Sequence, residues 1–281
     1  MSVFVVGSLH LDVVIRAPHL PSADETVTGN AVDYVFGGKG GNQALAAARM
    51  GTDVQFAGRA GSDRFGEMIR ETLENSRIGL SQLQRDAGPS GMSAAIVDER
   101  SDYGAVIVSA ANLNIDAKAI EVPSGTSVVL LQNEVPEEVN VAVARKARAA
   151  GAQVWLNAAP ARLLPDALLN AVDVLIVNRV EAEFFADKVG SSRVLTTLGA
   201  EGVLFAGSKW PAFSVDVIST HGAGDMFVGA LAAEVDTGRT IDDAIPIAQA
   251  AAALHVSLDL GERAGMDRVQ VEAFLAAQSN R

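Results

Sequence analysis

Gly222-Ala223-Gly224-Asp225 sets three small residues directly before a carboxylate, and residues 226–235 behind them have the composition of a helix. Glycine leaves the backbone open to close approach because no Cβ stands in the way. A helix start also carries unpaired N–H donors and a partial positive charge, which attract anions. A carboxylate at such a place can take a proton from a hydroxyl while the N–H groups hold a phosphate. The chemistry implied is phosphoryl transfer to an alcohol. The same residues also suit a plain helix start, where Asp225 would favour the dipole by about 0.3–1 kcal/mol.

Four further groups have types and spacing suited to chemistry. Gly37-Gly38-Lys39-Gly40-Gly41-Asn42-Gln43-Ala44 is a glycine cluster before an alanine-rich helix at 42–50. It lacks the spacing of a phosphate loop, since Lys39 is followed by Gly40 and not by a hydroxyl residue. Asn42 can cap the helix or, with Lys39, bond sugar hydroxyls. His10 and Asp12 lie two apart on an extended segment and so share a face; both can meet a polyol. Asn178-Arg179-Val180-Glu181 follows a strand at 174–177. Glu181 falls in the first turn of a helix, where a carboxylate is favoured in any case, and it can reach Mg²⁺ through water. Thr197-Leu198-Gly199-Ala200-Glu201-Gly202 is a strand end and turn that can approach a nucleotide or be an ordinary β-turn.

The elements that must position these groups are legible in outline. From residue 128 to 197, short apolar runs alternate with helical segments: strands at 128–131, 154–157, 174–177 and 193–197, helices at 137–150, 163–171 and 181–187. That alternation predicts an α/β fold with a mostly parallel central sheet flanked by helices. Ligands in such sheets sit beyond the strand C-termini, where Asn157, Asn178 and Gly199 fall. Segments 12–15 and 26–35, and a hairpin at 91–97 and 103–108, alternate as half-exposed strands do. We read about 11–35 and 91–110 as a small β-sheet lid on a single domain spanning 1–281. The alternative is an extension of the main sheet.

Composition narrows the function further. The 281 residues are 49% hydrophobic and include no cysteine, which excludes disulfides, thiolate catalysis and cysteine-ligated metals. The net charge of −12 with no basic run argues against nucleic acid as a partner. The four histidines lack metal-ligand spacing. No stretch approaches the roughly 20 apolar residues of a membrane span, and the N-terminus reads as a strand, so a cytoplasmic protein is expected.

Taken together, the 37–44 segment and Thr220-His221-Gly222-Ala223-Gly224-Asp225-Met226-Phe227, about 180 residues apart, resemble the signatures of the PfkB (ribokinase-like) family of carbohydrate kinases. The resemblance runs from Val3 to about Phe274. Leu20-Pro21, Glu25 through Gly29, Leu156 through Ala161 and Leu163-Leu164-Pro165 are similar to segments of its ribose-phosphorylating branch. The resemblance implies an ATP- and Mg²⁺-dependent kinase acting on a primary hydroxyl, D-ribose being the implied acceptor. It implies Asp225 as catalytic base and Gly222, Ala223 and Gly224 as an anion hole. It places Asp12, Gly38, Lys39, Asn42 and Glu134 on the sugar, with His10 beside them. Asn178 and Glu181 fall near the phosphates and Mg²⁺; Thr197, Gly199, Ala200, Gly202 and Gln249 line the ATP site. The lid often also forms a dimer contact.

Three departures stand out. His10 replaces an asparagine that contacts the sugar. Ser219 replaces an aspartate linked to a monovalent-cation site, which weakens the expectation of K⁺ activation. The stretch 188–192 is short where the family commonly has an extra helix. His10 motivates an alternative nucleoside or pseudouridine acceptor. Ser219 and the short stretch motivate a sugar-binding protein with little catalysis.

Overall fold

The computed structural model describes residues 1–100, 102–186, 190 and 193–279. Among these, nine strands build the main sheet. From one edge they run β13 (Ser208–Trp210), β12 (Val203–Phe205), β11 (Val194–Thr197), β10 (Val174–Asn178), β9 (Gln153–Asn157), β8 (Thr126–Gln132), β1 (Ser2–Val6), β4 (Val54–Ala60) and β5 (Gly79–Arg85). The strands from β11 to β5 pair in parallel, and β12 and β13 add an antiparallel edge. A parallel sheet must be covered on both faces, and β1 shows the consequence: all five of its residues are buried. Val3 and Val5 face one core, with Ala44, Leu45, Met226, Leu231 and Ala248. Phe4 and Val6 face the other, with Val139, Val143, Leu168 and Phe185.

The first core is roofed by α1 (Lys39–Arg49), α6 (Ala223–Asp236) and α7 (Ile241–Ser257), with α2 (Arg64–Asn75), α8 (Leu260–Ala264) and α9 (Arg268–Ser279) at its margins; the second is covered by α3 (Glu137–Ala149), α4 (Asp166–Leu169) and α5 (Arg179–Phe185). Buried Glu234 near the end of α6 pairs with Arg239 and Arg268 at 3.0 Å each, tying α9 to it. A separate sheet has the order β3 (Ala31–Gly37), β2 (His10–Arg16), β6 (Gly91–Val97), β7 (Tyr103–Val108). It does not extend the main sheet. β2 leaves β1 after only three residues and carries His10 and Asp12 with it.

Several boundaries differ from the sequence expectation. Residues 26–30 are not strand, because the stretch after Pro21 has no ladder partner until Ala31 pairs with Arg16. The expected helix at 163–171 shrinks to Asp166–Leu169. The edge strands β5, β12 and β13 were not expected at all. The short stretch at 188–192 lies almost wholly outside the described residues.

The most consequential difference concerns α1 and α6. Both begin three residues earlier than expected, at Lys39 and Ala223. Their approach is governed by Gly229, where a Cβ would come within 2.4 Å of the Gln43 carbonyl oxygen and 2.8 Å of the Ala47 nitrogen. Those are backbone atoms of a second helix and cannot swing aside. Gly229→Ala is therefore expected to lower stability by about 1–3 kcal/mol, despite the helix propensity that alanine adds, and urea denaturation measures it.

Candidate active site

The site begins where β1 ends. Gly7 and Gly40 meet backbone to backbone: a Cβ on Gly40 would lie 2.7 Å from the carbonyl carbon of Gly7. Gly38 starts α1 with φ +87°, and a Cβ there would press on Ser8 O and His10 N at 2.8 Å. The glycine cluster thus lets a helix start sit directly on a strand end. That packing puts Lys39, Asn42 and Gln43 above the C-terminal edge of the sheet.

Two carboxylates anchor these residues: Glu134, just beyond β8, and Asp225. Glu134 Oε2 accepts from Ser8 Oγ at 2.5 Å and from the Lys39 backbone N–H at 2.9 Å. Asn42 is inside α1 and not its cap. Its Nδ2 donates to Asp225 Oδ2 at 3.3 Å, while Gln43 Nε2 donates to Asp225 Oδ1 at 3.0 Å. Gln43 also bonds Asn157 Oδ1 at 3.1 Å and accepts from Gln132 Nε2 at 2.9 Å. Asp225 is buried, and burial pushes its carboxyl above the ordinary carboxylate range; the Lys39 ammonium and the Gln43 amide oppose the shift, and Glu134 adds to it. The result is a carboxylate held by two amides, more basic than one in water.

The smaller sheet brings its own polar pair to this end. Asp12 Oδ1 accepts from Ser93 Oγ at 2.6 Å. A Cβ on Gly37 would lie 2.2 Å from Asp12 Oδ2, so glycine there makes room for the carboxylate. His10 is 3% exposed and its Nε2 has no hydrogen-bond partner among the described residues. A buried ring nitrogen without a partner costs free energy unless something completes it.

On the other side of the α6 start lies a cavity of about 460 Å³, within the range of small-molecule sites. Thr197, Gly199, Ala200, Gly202 and Gln249 all line it, as do Ala223 and Gly224. Its apolar wall includes Phe213, Val217 and Val256. Gln249 Nε2 is committed to Trp210 O at 3.1 Å, and Gly202 (φ +100°) sits where a Cβ would strike Trp210 O. Both hold the β13 edge that shapes the cavity.

Gly222 caps α6 in the left-handed region at φ +74°. Met226 N–H donates to Gly222 O at 2.8 Å and Ala223 N–H to Thr220 O at 3.2 Å. The N–H groups of Gly224 and Asp225 find no such backbone acceptor among the described residues, as expected of a helix start. Ala223 is therefore the least free donor of the three small residues. Asn178 and Glu181 form a reciprocal capping box, with N–H···O distances of 2.8 and 2.9 Å. Neither lines the cavity, but Asn178 pairs with Thr197 across β10 and β11. Sequence reasoning gave no role to Gln43, Ser8 or Ser93. The signal for Gln43 was present: a long amide on a helix face it shares with Gly40, Ala46, Ala47 and Met50.

Comparisons with known proteins place this geometry in context. The model of the pfkB family of carbohydrate kinases matches residues 1–259. The Bacillus subtilis ribokinase is 33% identical, the alignment covering 98% of this chain and 99% of that protein. The Lactococcus lactis ribokinase is 34% identical over 97% and 96%. Among solved structures, the Thermotoga maritima ribokinase superposes with a TM-score of 0.87 at 28% identity, covering 98% of this chain and 99% of that one. The Arabidopsis thaliana ribokinase, solved with ribose and ATP, gives 0.86 at 26% identity, covering 98% of each.

The hydrogen bonds to Asp225 fix the direction of a titration experiment. Following its carboxyl carbon by ¹³C NMR, the midpoint is expected above the ordinary value of about 3.9. Gln43→Leu removes a bond that favours the ionised form, so the midpoint moves higher still.

Proposed function

The chain belongs to the pfkB family of carbohydrate kinases, and from that premise we propose that it phosphorylates the primary hydroxyl of D-ribose with ATP. The observation that carries the reading is the position of Asp225. It is buried, bonded to Asn42 and Gln43 on its sugar side, and preceded by Gly224 on the wall of the cavity of about 460 Å³. A sugar hydroxyl at the first end and a γ-phosphate at the second would meet at this carboxylate.

In this reading Asp12, Lys39, Asn42 and Glu134 bind the sugar, and Gly38 gives them room. His10, too enclosed for a hydroxyl to reach its ring, shapes the end of the sugar pocket beside Asp12. Asp225 takes the proton as the hydroxyl oxygen forms its bond to the γ-phosphorus. The bond from that phosphorus to the bridging oxygen of ADP breaks. The N–H groups of Gly224 and Asp225, with Gly222 and Ala223 shaping the turn, take up charge on the transferring oxygens. The cavity bounded by Thr197, Gly199, Ala200, Gly202 and Gln249 takes the nucleotide, with Asn178 beside it.

Magnesium suits the donor set in one respect. It keeps most of its water and needs few protein carboxylates, and Glu181 is a single buried carboxylate with one oxygen committed to its cap. Bound there through water with the ATP phosphates, the ion would neutralise phosphate charge. The four-stranded sheet would close over the sugar and exclude water. Its exposed Val32, Tyr34, Val106 and Val108 would be covered by a second copy of the chain. Among the described residues no helix is long and apolar enough to cross a membrane, and we place the enzyme in the cytoplasm with its ATP. His10 is too enclosed to offer a ring face for stacking, which removes the ground for a nucleoside acceptor.

Coupled ADP-release assays over pentoses, hexoses and nucleosides test the substrate, with ribose expected to give the highest kcat/KM. Absence of turnover on any sugar would end the kinase reading. Asp225→Asn should lower kcat by about 10²–10⁴ and leave ribose affinity within a few fold by calorimetry. A variant working at the normal rate would refute the base assignment. Because the base must be ionised and its pKa is raised by burial, kcat/KM should fall on acidification at a pH above the ordinary carboxylate range.

A further inference from the structure

The family resemblance implies a monovalent cation beside position 219, and the residues present do not suit one. K⁺ is held by oxygen atoms that replace its hydration shell. Position 219 offers a serine and no carboxylate. Its carbonyl oxygen already accepts from Arg263 Nη2 at 2.8 Å, and the carbonyl of His221 accepts from Arg263 Nη1 at 3.2 Å. The third donor, Arg263 Nε, is spent on Leu258 O at 3.0 Å. The oxygens a cation would need are occupied by a guanidinium.

That guanidinium is unusual in its surroundings. Arg263 is 4% exposed, yet among the described residues it makes no ion pair. Asp259, the carboxylate that acts on it, is committed to capping the Glu262 N–H at 2.9 Å. Two other groups that face it, Arg49 and His255, are cationic or cationic when protonated, and together with His221 they border one cavity. Burial, helped by Arg263 and Arg49, lowers His255 to about 4, so its ring is neutral near pH 7. Its Nε2 then donates to His221 O at 3.0 Å. A buried charge without a carboxylate partner is costly, and here each of its three nitrogens donates to a main-chain carbonyl. Two of those lie one and three residues before Gly222. On their other side, the N–H groups of Ile218 and Ser219 are fixed to Val256 O.

We infer that the Arg263 guanidinium is a resident substitute for a monovalent cation: it holds the 219–221 backbone, sets the Gly222–Gly224 turn, and makes phosphoryl transfer independent of K⁺. Arg263 is a positioning residue in this scheme, acting through the turn and not on the substrates. The inference rests on the kinase reading above.

The test compares KCl, NaCl and choline chloride at equal ionic strength. The wild-type chain is expected to show the same kcat in all three, within about twofold, and the same thermal midpoint. Arg263→Ala should lose about 10- to 100-fold in kcat in choline chloride, the scale of a misplaced catalytic group, with ribose KM nearly unchanged. Low millimolar guanidinium or K⁺ should restore part of that loss. Arg263→Lys keeps the charge but not the fork and should fall between. Stimulation of the wild type severalfold by K⁺ over choline would overturn the inference, as would full activity of Arg263→Ala in choline. Should Arg263→Ala not fold, the wild-type cation series and Arg263→Lys still decide. Absence of sugar turnover in every salt would instead refute the kinase reading, and the thermal midpoints would still report whether K⁺ binds.

Discussion

The site depends on one amide. Gln43 Nε2 lies 3.0 Å from Asp225 Oδ1, joining residues 182 positions apart. The same side chain bonds Asn157 at the end of β9 and Gln132 at the end of β8. Two strand ends and two helix starts are therefore fixed to each other through a single buried group. The bond to Asp225 needs α1 and α6 to approach at backbone distance, which is what Gly229 permits. The register of the chemistry is thus set by a glycine that touches no substrate.

Burying Asp225 carries an electrostatic cost that the surroundings offset only in part. Full compensation by cations would leave a weak base, held firmly ionised. No compensation would push it further toward the protonated form. The Lys39 ammonium and two amide donors lower its pKa, while desolvation and Glu134 raise it, and desolvation prevails. A base that must accept a proton in the transition state is served by that intermediate balance. Neutral amides suit the task better than an arginine would, because they orient the carboxylate without pairing its charge.

Legibility in the sequence followed the range of the interactions. The α/β alternation from 128 to 197 was visible because each strand and helix declares itself within a few residues. The edge strands were not: β12 and β13 have three residues each and carry no periodicity, while β5, Gly79–Arg85, has only two large apolar residues and exists by pairing with β4. Both site motifs were readable as motifs, but their helices begin earlier than composition suggested. Glycine is a poor helix former, and close packing of Gly40 on Gly7 and of Gly41 on Phe36 and Leu9 holds both in the helix. For the same reason Asn42 read equally well as a cap. Its bond to Asp225 is a tertiary fact that no local pattern encodes.

Ser219 shows how a departure from a pattern becomes intelligible only in three dimensions. In the sequence it is a missing carboxylate. In the fold, Arg263 from α8, 44 residues away, donates to the carbonyl of that same serine. An aspartate at 219 would place an anion beside a guanidinium already fixed on carbonyls, and would change the charge next to the Gly222 turn. A serine leaves that charge uncompensated, so the guanidinium keeps the net +1 that a monovalent ion would bring. Ser219 and Arg263 make sense as a pair: an external cation calls for a carboxylate beside it, and a covalently attached guanidinium on the same carbonyls does not. What the turn requires is positive charge on its preceding carbonyls, and the chain supplies it from its own side chain.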